Sequence, residues 1–124
     1  MYLLDTHILL WYFHDDARLS DETKNIISDN DVSISIASLW EIAIKKGLGR
    51  LKINESVSEL EHACVDQGIG IVPIRTKYLE AIQTLPYIHN DPFDRLIIAT
   101  ASSESMTLIT DDHIIKKYDI LQII

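Results

Sequence analysis

Short strand-like apolar runs alternate with helix-like segments along the entire chain, and this alternation narrows the fold more than any other feature. Tyr2-Leu-Leu4 is apolar and ends at Asp5-Thr6, a pair able to cap a helix. Ile8 to Phe13 follows, apolar on every side if helical, and so destined for the core or for a partner surface. Val32, Ile34 and Ile36 alternate with Ser33 and Ser35 at the period of a strand. Further strands are expected over Ile69 to Ile74, Thr107 to Thr110 and Ile120 to Ile124. Helical patterns fill the intervals: a polar one from Ser20 to Asn30, one from Ser38 to Lys45-Lys46 stopping at Gly47, and one through Val57, Leu60 and Cys64 ending near Gly68. Tyr78, Ile82 and Leu85 mark another, stopped by Pro86, and a short one passes through Lys116-Lys117. Strands separated by helices pair in parallel and are covered on both faces, so residues 1–124 are expected to form one α/β domain around a mostly parallel sheet. Ligands of such sheets sit beyond the carboxyl ends of the strands. Asp5 and Asp111-Asp112 lie at two of those ends, and Glu41 lies on the helix following a third.

The stretch His89-Asn-Asp-Pro-Phe-Asp-Arg-Leu-Ile-Ile-Ala-Thr-Ala101 carries a second clue. Asp91 can cap a helix with Pro92 at its first position, where a missing N–H costs nothing. On that helix Asp94 shares a face with Ile97, Ile98 and Ala101, the face expected to meet the core. Arg95 falls on the opposite side, four residues beyond Asp91, where the two can pair. A carboxylate turned coreward is costly unless a cation or several donors meet it.

Composition excludes several classes. No apolar run approaches the roughly 18 residues that span a bilayer, and the start of the chain lacks a basic leader, so a cytoplasmic location is expected with no membrane partner. A formal net charge of −8 argues against a broad basic surface, though not against nucleic acid at a local site. The single cysteine, Cys64, excludes an internal disulfide and reads as a core residue. The five histidines show no metal-ligand spacing, which argues against zinc.

Each acid has a modest explanation: Asp5 as a helix cap, Glu41 completing a capping box with Ser38, Asp94 favoured by the helix dipole, Asp112 capping the segment at Ile114. Taken together they converge on one sheet edge, where carboxylates a few ångströms apart repel by about 1–4 kcal/mol per pair. A hard divalent cation relieves that repulsion, and an all-oxygen cluster suits Mg²⁺ or Mn²⁺.

These residues resemble the PIN-domain ribonucleases, specifically the VapC-like toxins of bacterial toxin–antitoxin pairs. The likeness rests on Leu3-Leu-Asp-Thr-His7 with Leu10-Trp11, on Ser35 to Lys45, on Gly49-Arg-Leu51, on His89 to Ala101 and on Thr110-Asp-Asp112. It implies a PIN-like three-layer sandwich with a five-stranded sheet in the order 3-2-1-4-5. It also implies a catalytic and metal-binding quartet of Asp5, Glu41, Asp94 and Asp112, with Mg²⁺ or Mn²⁺ as cofactor. The Thr-x-Asp spacing favours Asp112 over Asp111, and Asp91 either supports the ligands or simply caps its helix. Thr6 and Thr110 either hydrogen-bond the acids or finish their strands. The expected activity is metal-dependent endonucleolytic cleavage of RNA, leaving a 5′-phosphate and a 3′-hydroxyl. The expected partners are an RNA substrate, a cognate antitoxin and a second copy of the chain in a homodimer.

Lys45, Lys46, Arg50 and Lys52 form the densest basic segment and, with Arg95 and Lys116-Lys117, are candidates for phosphate contact. The competing reading places Lys45 and Lys46 at a helix C-terminus and pairs Arg95 with Asp91. Trp11 and Trp40 lie within apolar helical runs and are expected in the core rather than stacked on bases. Two rival functions share these features: a non-catalytic PIN-like module that binds RNA or protein, and a phosphoacceptor receiver domain with an acidic Mg²⁺ pocket.

Overall fold

The elements follow the expected alternation. A computed structural model describes residues 1–119 and 123–124. In chain order the elements are β1 (Tyr2–Leu4), α1 (Thr6–Phe13), α2 (Asp21–Asp29), β2 (Val32–Ser35), α3 (Ile36–Gly47), α4 (Val57–Asp66), β3 (Gly70–Val72), α5 (Thr76–Thr84), α6 (Pro92–Ser103) and β4 (Thr107–Ile109). A single 3-10 turn follows at Ile115–Lys117. The sheet is parallel throughout and ordered β3-β2-β1-β4, with Leu4 opposite Ile34 on one side and Ile109 on the other. Among the described residues it has four strands rather than five. The fifth position carries one parallel bridge, Leu108 to Ile123, and residues 120–122 of the expected last strand lie outside the described residues. This order differs from the 2-1-3-4-5 of receiver-like sheets, which removes the phosphoacceptor alternative.

The side chains of β1 and β4 alternate between the two faces, and each face builds its own core. Leu4, Ile34 and Ile109 pack with Ile8, Leu9, Ile27, Leu39, Ile42, Leu60 and Cys64 from α1 to α4. Leu3 and Leu108 point the other way and meet Ile97, Ile98 and Ala101 of α6. Because Leu3 and Leu4 are fully buried on opposite faces, β1 is the centre of a three-layer sandwich. Cys64 is free and buried, and burial pushes its thiol up to about 11, out of reach as a nucleophile.

Local chemistry sets the helix ends, not always where the sequence suggests. Asp91 caps α6 through the amides of Phe93 and Asp94, with Pro92 in the first turn, as expected. The Ser38/Glu41 capping box does not form. Helix α3 starts three residues earlier, capped by Ser35, whose hydroxyl accepts from the Ala37 amide. The real capping box belongs to α4: Ser56 accepts from the Glu59 amide and Glu59 accepts from the Ser56 amide. At its other end α3 stops at Gly47, as expected, and Gly49, two residues on, takes the left-handed conformation (φ 70°) that turns the chain away. The Gly49 and Arg50 amides then donate back to the Lys46 and Lys45 carbonyls.

Candidate active site

Asp5 and Thr110 each stand one residue past the end of a strand, β1 and β4, where those strands lie side by side. This is the point in the sheet at which the chain order reverses direction. Asp5 is buried and uses its two oxygens separately. Oδ1 accepts from the Thr6 amide (2.6 Å), capping α1, and Oδ2 accepts from the Thr110 hydroxyl (2.7 Å). The Thr110 oxygen accepts in turn from the Asp112 amide (3.0 Å), bending the chain so that Asp112 faces the site. Asp112 Oδ1 caps the next turn through the amides of Ile114 (2.8 Å) and Ile115 (3.3 Å), while Oδ2 lies 3.2 Å from His89 Nε2. The same nitrogen lies 3.0 Å from Asp94 Oδ2, in the first turn of α6.

Glu41 reaches the cluster from α3. Its Oε1 accepts from the Thr6 hydroxyl (2.8 Å), which is also hydrogen-bonded with the Ser38 hydroxyl (2.9 Å), and its Oε2 pairs with Lys45 (2.7 Å). Glu41 therefore serves the site rather than its own helix end. The two threonines tie the acids together rather than only finishing their strands. All four predicted acids are joined through Thr6, Thr110 and His89, whereas Asp111 stays exposed.

The electrostatics record the crowding. Burial raises the Asp5 carboxyl above its ordinary range, against the Thr110 and Thr6 hydrogen bonds, and the Glu41 charge adds to the rise. Burial first, then the charges of Asp5 and Asp91, push Asp94 up to about 7, with His89 opposing. For Asp112 burial works upward but is outweighed by the His89 ring and the two amides, and its carboxyl sits below the usual range. The charges of Asp5 and Glu41 thus act on Asp94, a repulsion among the three acids that a cation lying between them would relieve.

The basic candidates separate. Arg95 is buried and neither pairs with Asp91 nor faces solvent. Its NH1 donates to the carbonyls of Pro86 (3.1 Å) and His89 (3.3 Å), its NH2 to those of Ile82 (3.2 Å) and Leu85 (3.4 Å), and Tyr87 stacks 4.0 Å from the guanidinium. Lys46 donates to the backbone carbonyls of Ile53 and Glu55, tying α3 to the following loop. Lys45 is paired with Glu41, and Arg50, Lys52, Lys116 and Lys117 remain exposed.

Of the two tryptophans Trp11 packs against the edge of the core and Trp40 leaves it. Trp40 is 54% exposed, edge-on to Phe93 at 4.9 Å, and Trp11 is half-buried beneath the Arg18 guanidinium. Trp40 and Ile44 on α3 and Leu48 at its C-cap recur at i, i+4 and i+8, all exposed, an apolar stripe whose signal was the spacing itself. The apolar run in α1 divides: Ile8, Leu9 and Leu10 are buried and Trp11, Tyr12 and Phe13 only partly so.

Sequence reasoning gave no role to His89, which joins Asp94 and Asp112 in a group whose potential ligand atoms lie within 4.8 Å of one another. The all-oxygen cluster expected from the sequence therefore has an imidazole against two of its acids. His89 and Asp112 are 23 residues apart, and only the sheet edge brings them together, so no local spacing rule could find the pair.

A sheet of this order with acids at its switch point defines a class of α/β protein. The comparisons place the chain within it. It is similar over 99% of its length to VapBC2 from Rickettsia felis, solved bound to a DNA fragment from the promoter (TM-score 0.72, 20% identity, 96% of that chain). It is similar to FitAcB from Neisseria gonorrhoeae (TM-score 0.65, 18% identity, covering 99% and 96%). A toxin–antitoxin complex from Klebsiella pneumoniae also matches (TM-score 0.59, 22% identity, covering 90% and 87%). At these identities the likeness is one of fold. No curated protein matches the chain. The family model of the PIN domain matches residues 2–121, and the chain belongs to the PIN-domain family.

Proposed function

We propose that this protein is a divalent-metal-dependent endoribonuclease and the toxin of a toxin–antitoxin pair. The observation that carries the proposal is the convergence of Asp5, Glu41, Asp94 and Asp112 on one sheet edge, where burial and then the charges of Asp5 and Asp91 push Asp94 up to about 7. The donor set fits a hard cation: carboxylate oxygens predominate and crowd one another electrostatically, as Mg²⁺ or Mn²⁺ sites do. Asp5, Asp94 and Asp112 would hold the ion, with Glu41 at its margin. When bound, such an ion lowers the pKa of water and stabilises charge on phosphate oxygens.

The chain's own residues then have distinct tasks. Asp5 and Asp112 are held rigid, since each has one oxygen committed to backbone amides. Glu41, oriented by Thr6 and Lys45, is placed to align an attacking water. Arg50 and Lys52, exposed on the connector after α3, and Lys116-Lys117 offer positive charge to the RNA backbone of an otherwise acidic molecule. The printed descriptions of the structural neighbours include a toxin–antitoxin complex, which favours an antitoxin partner here, and the Trp40-Ile44-Leu48 stripe supplies an apolar surface for it. Among the described residues no helix is long and apolar enough to cross a membrane, and we place the activity in the cytoplasm, in a homodimer.

The test is RNA cleavage with Mg²⁺ or Mn²⁺, comparing wild type with Asp5→Asn and Asp94→Asn, with folding checked by circular dichroism. Asparagine keeps the size and removes the charge. Cleavage by wild type alone, halted by chelator, supports the proposal. Equal cleavage by all three points to a contaminant, and no cleavage by any to a non-catalytic binding module.

A further inference from the structure

His89 stands where two of the acids meet, and the geometry of its ring decides what it can do there. The Asp91 amide donates to Nδ1 (3.1 Å). A ring nitrogen that accepts an N–H carries no proton of its own, so in the neutral ring the proton sits on Nε2. That nitrogen faces Asp94 Oδ2 at 3.0 Å and Asp112 Oδ2 at 3.2 Å. A protonated Nε2 donates to carboxylates and has no lone pair for a metal, so His89 does not act as a ligand, although its distances alone would admit it.

From this we infer that His89 is a positioning residue, whose Nε2–H spans Asp94 and Asp112 and holds the two carboxylates together for the cation. The inference rests on the metal-dependent reading above. Asp94 comes from the start of α6 and Asp112 from the loop after β4, and without a shared donor their like charges drive them apart. Binding is tighter when ligands are already assembled, because less order must be imposed when the ion arrives. The backbone of His89 is fixed independently of its ring. Its amide donates to the Tyr118 hydroxyl (2.8 Å), which donates to the Pro86 carbonyl (2.8 Å), and its carbonyl accepts from Arg95 (3.3 Å). Replacing the ring therefore leaves these bonds in place and removes two others, the one Nδ1 accepts from the Asp91 amide and the contact of Nε2–H with the acids, so a glutamine that restores the second is needed to tell them apart.

The experiment measures Mn²⁺ affinity by calorimetry for wild type, His89→Leu and His89→Gln, alongside thermal unfolding. Outer hydrogen-bond partners of metal ligands are worth about 10–100-fold in affinity, and His89→Leu should lose that much. His89→Gln, whose amide N–H reaches the place of Nε2, should recover most of it. In parallel, ¹⁵N NMR of the wild-type ring with Mg²⁺ bound should show the proton still on Nε2, a readout that holds even if a variant folds poorly. Equal Mn²⁺ affinity in wild type and His89→Leu would overturn the inference while leaving the metal site standing. So would a glutamine variant as weak as leucine, or an Nε2 that has lost its proton to the ion. Failure of wild type itself to bind Mn²⁺ would overturn the underlying metal-dependent reading, and this inference with it.

Discussion

Asp94 and Arg95 are neighbours in the first turn of α6 and carry opposite charges into opposite circumstances. The Arg95 guanidinium is buried, met by four backbone carbonyls and stacked on Tyr87, so its charge closes the 82–89 segment onto the helix. The Asp94 carboxylate is met by one imidazole, and burial first, then the charges of Asp5 and Asp91, push its pKa up to about 7. The first charge is fully met inside the chain; the second is met there by a single imidazole and opposed by like charges, and the proposed metal site rests on that contrast.

Substitutions at these two positions should move activity and stability in opposite directions, which is the sharpest way to break the comparison. Asp94→Asn should lower metal-dependent RNA cleavage by at least about a hundredfold, measured as initial rates on a labelled RNA. Arg95→Met should lower folding stability by about 3 kcal/mol in urea denaturation, because several buried carbonyls lose a charged donor together. The Asp94→Asn chain without metal should instead gain about 1 kcal/mol at neutral pH and above, through loss of like-charge repulsion. A destabilised Asp94→Asn would mean that this carboxylate is as structural as its neighbour.

The pH dependence follows with a definite sign. Asp94 titrates near 7 in the folded metal-free chain against 3.8 ordinarily. Between those values the folded chain keeps a proton that the unfolded chain has lost, so this residue makes stability fall as pH rises through the window. Asp94→Asn should flatten that slope in denaturation curves taken on either side. Metal binding needs the ionised form, and Mn²⁺ affinity should climb over the same interval and level off above about 7. The smallest effect is a control away from both charges: Ser56→Ala should cost about 1 kcal/mol by breaking the α4 capping box, with cleavage unchanged.

Much of this was legible in the chain. The alternation of strand and helix patterns leads to the parallel sheet, Asp91-Pro92 marks the start of α6, and the acids at the strand ends come together as the topology requires. What escaped depends on partners distant in sequence. The Ser38/Glu41 spacing fits a capping box, yet Glu41 is drawn to Thr6, a residue 35 positions away on another element. Arg95 lies off the apolar face of its helix, yet it is buried because the 82–89 segment folds over it and offers carbonyls. Trp40 belongs to an apolar run by composition, but α3 turns it outward with Ile44 and Leu48. Periodicity reports which face of a helix is apolar; it does not report what will be laid across the other face.

The most direct measurement is anomalous diffraction from crystals soaked in Mn²⁺. A peak bound jointly by the carboxylates of Asp5 and Asp94 is the expected result, because their charges already act on each other with no cation between them. Manganese bound elsewhere, or none bound by crystals of a protein that still cuts RNA in chelator, would contradict a nuclease built on these acids.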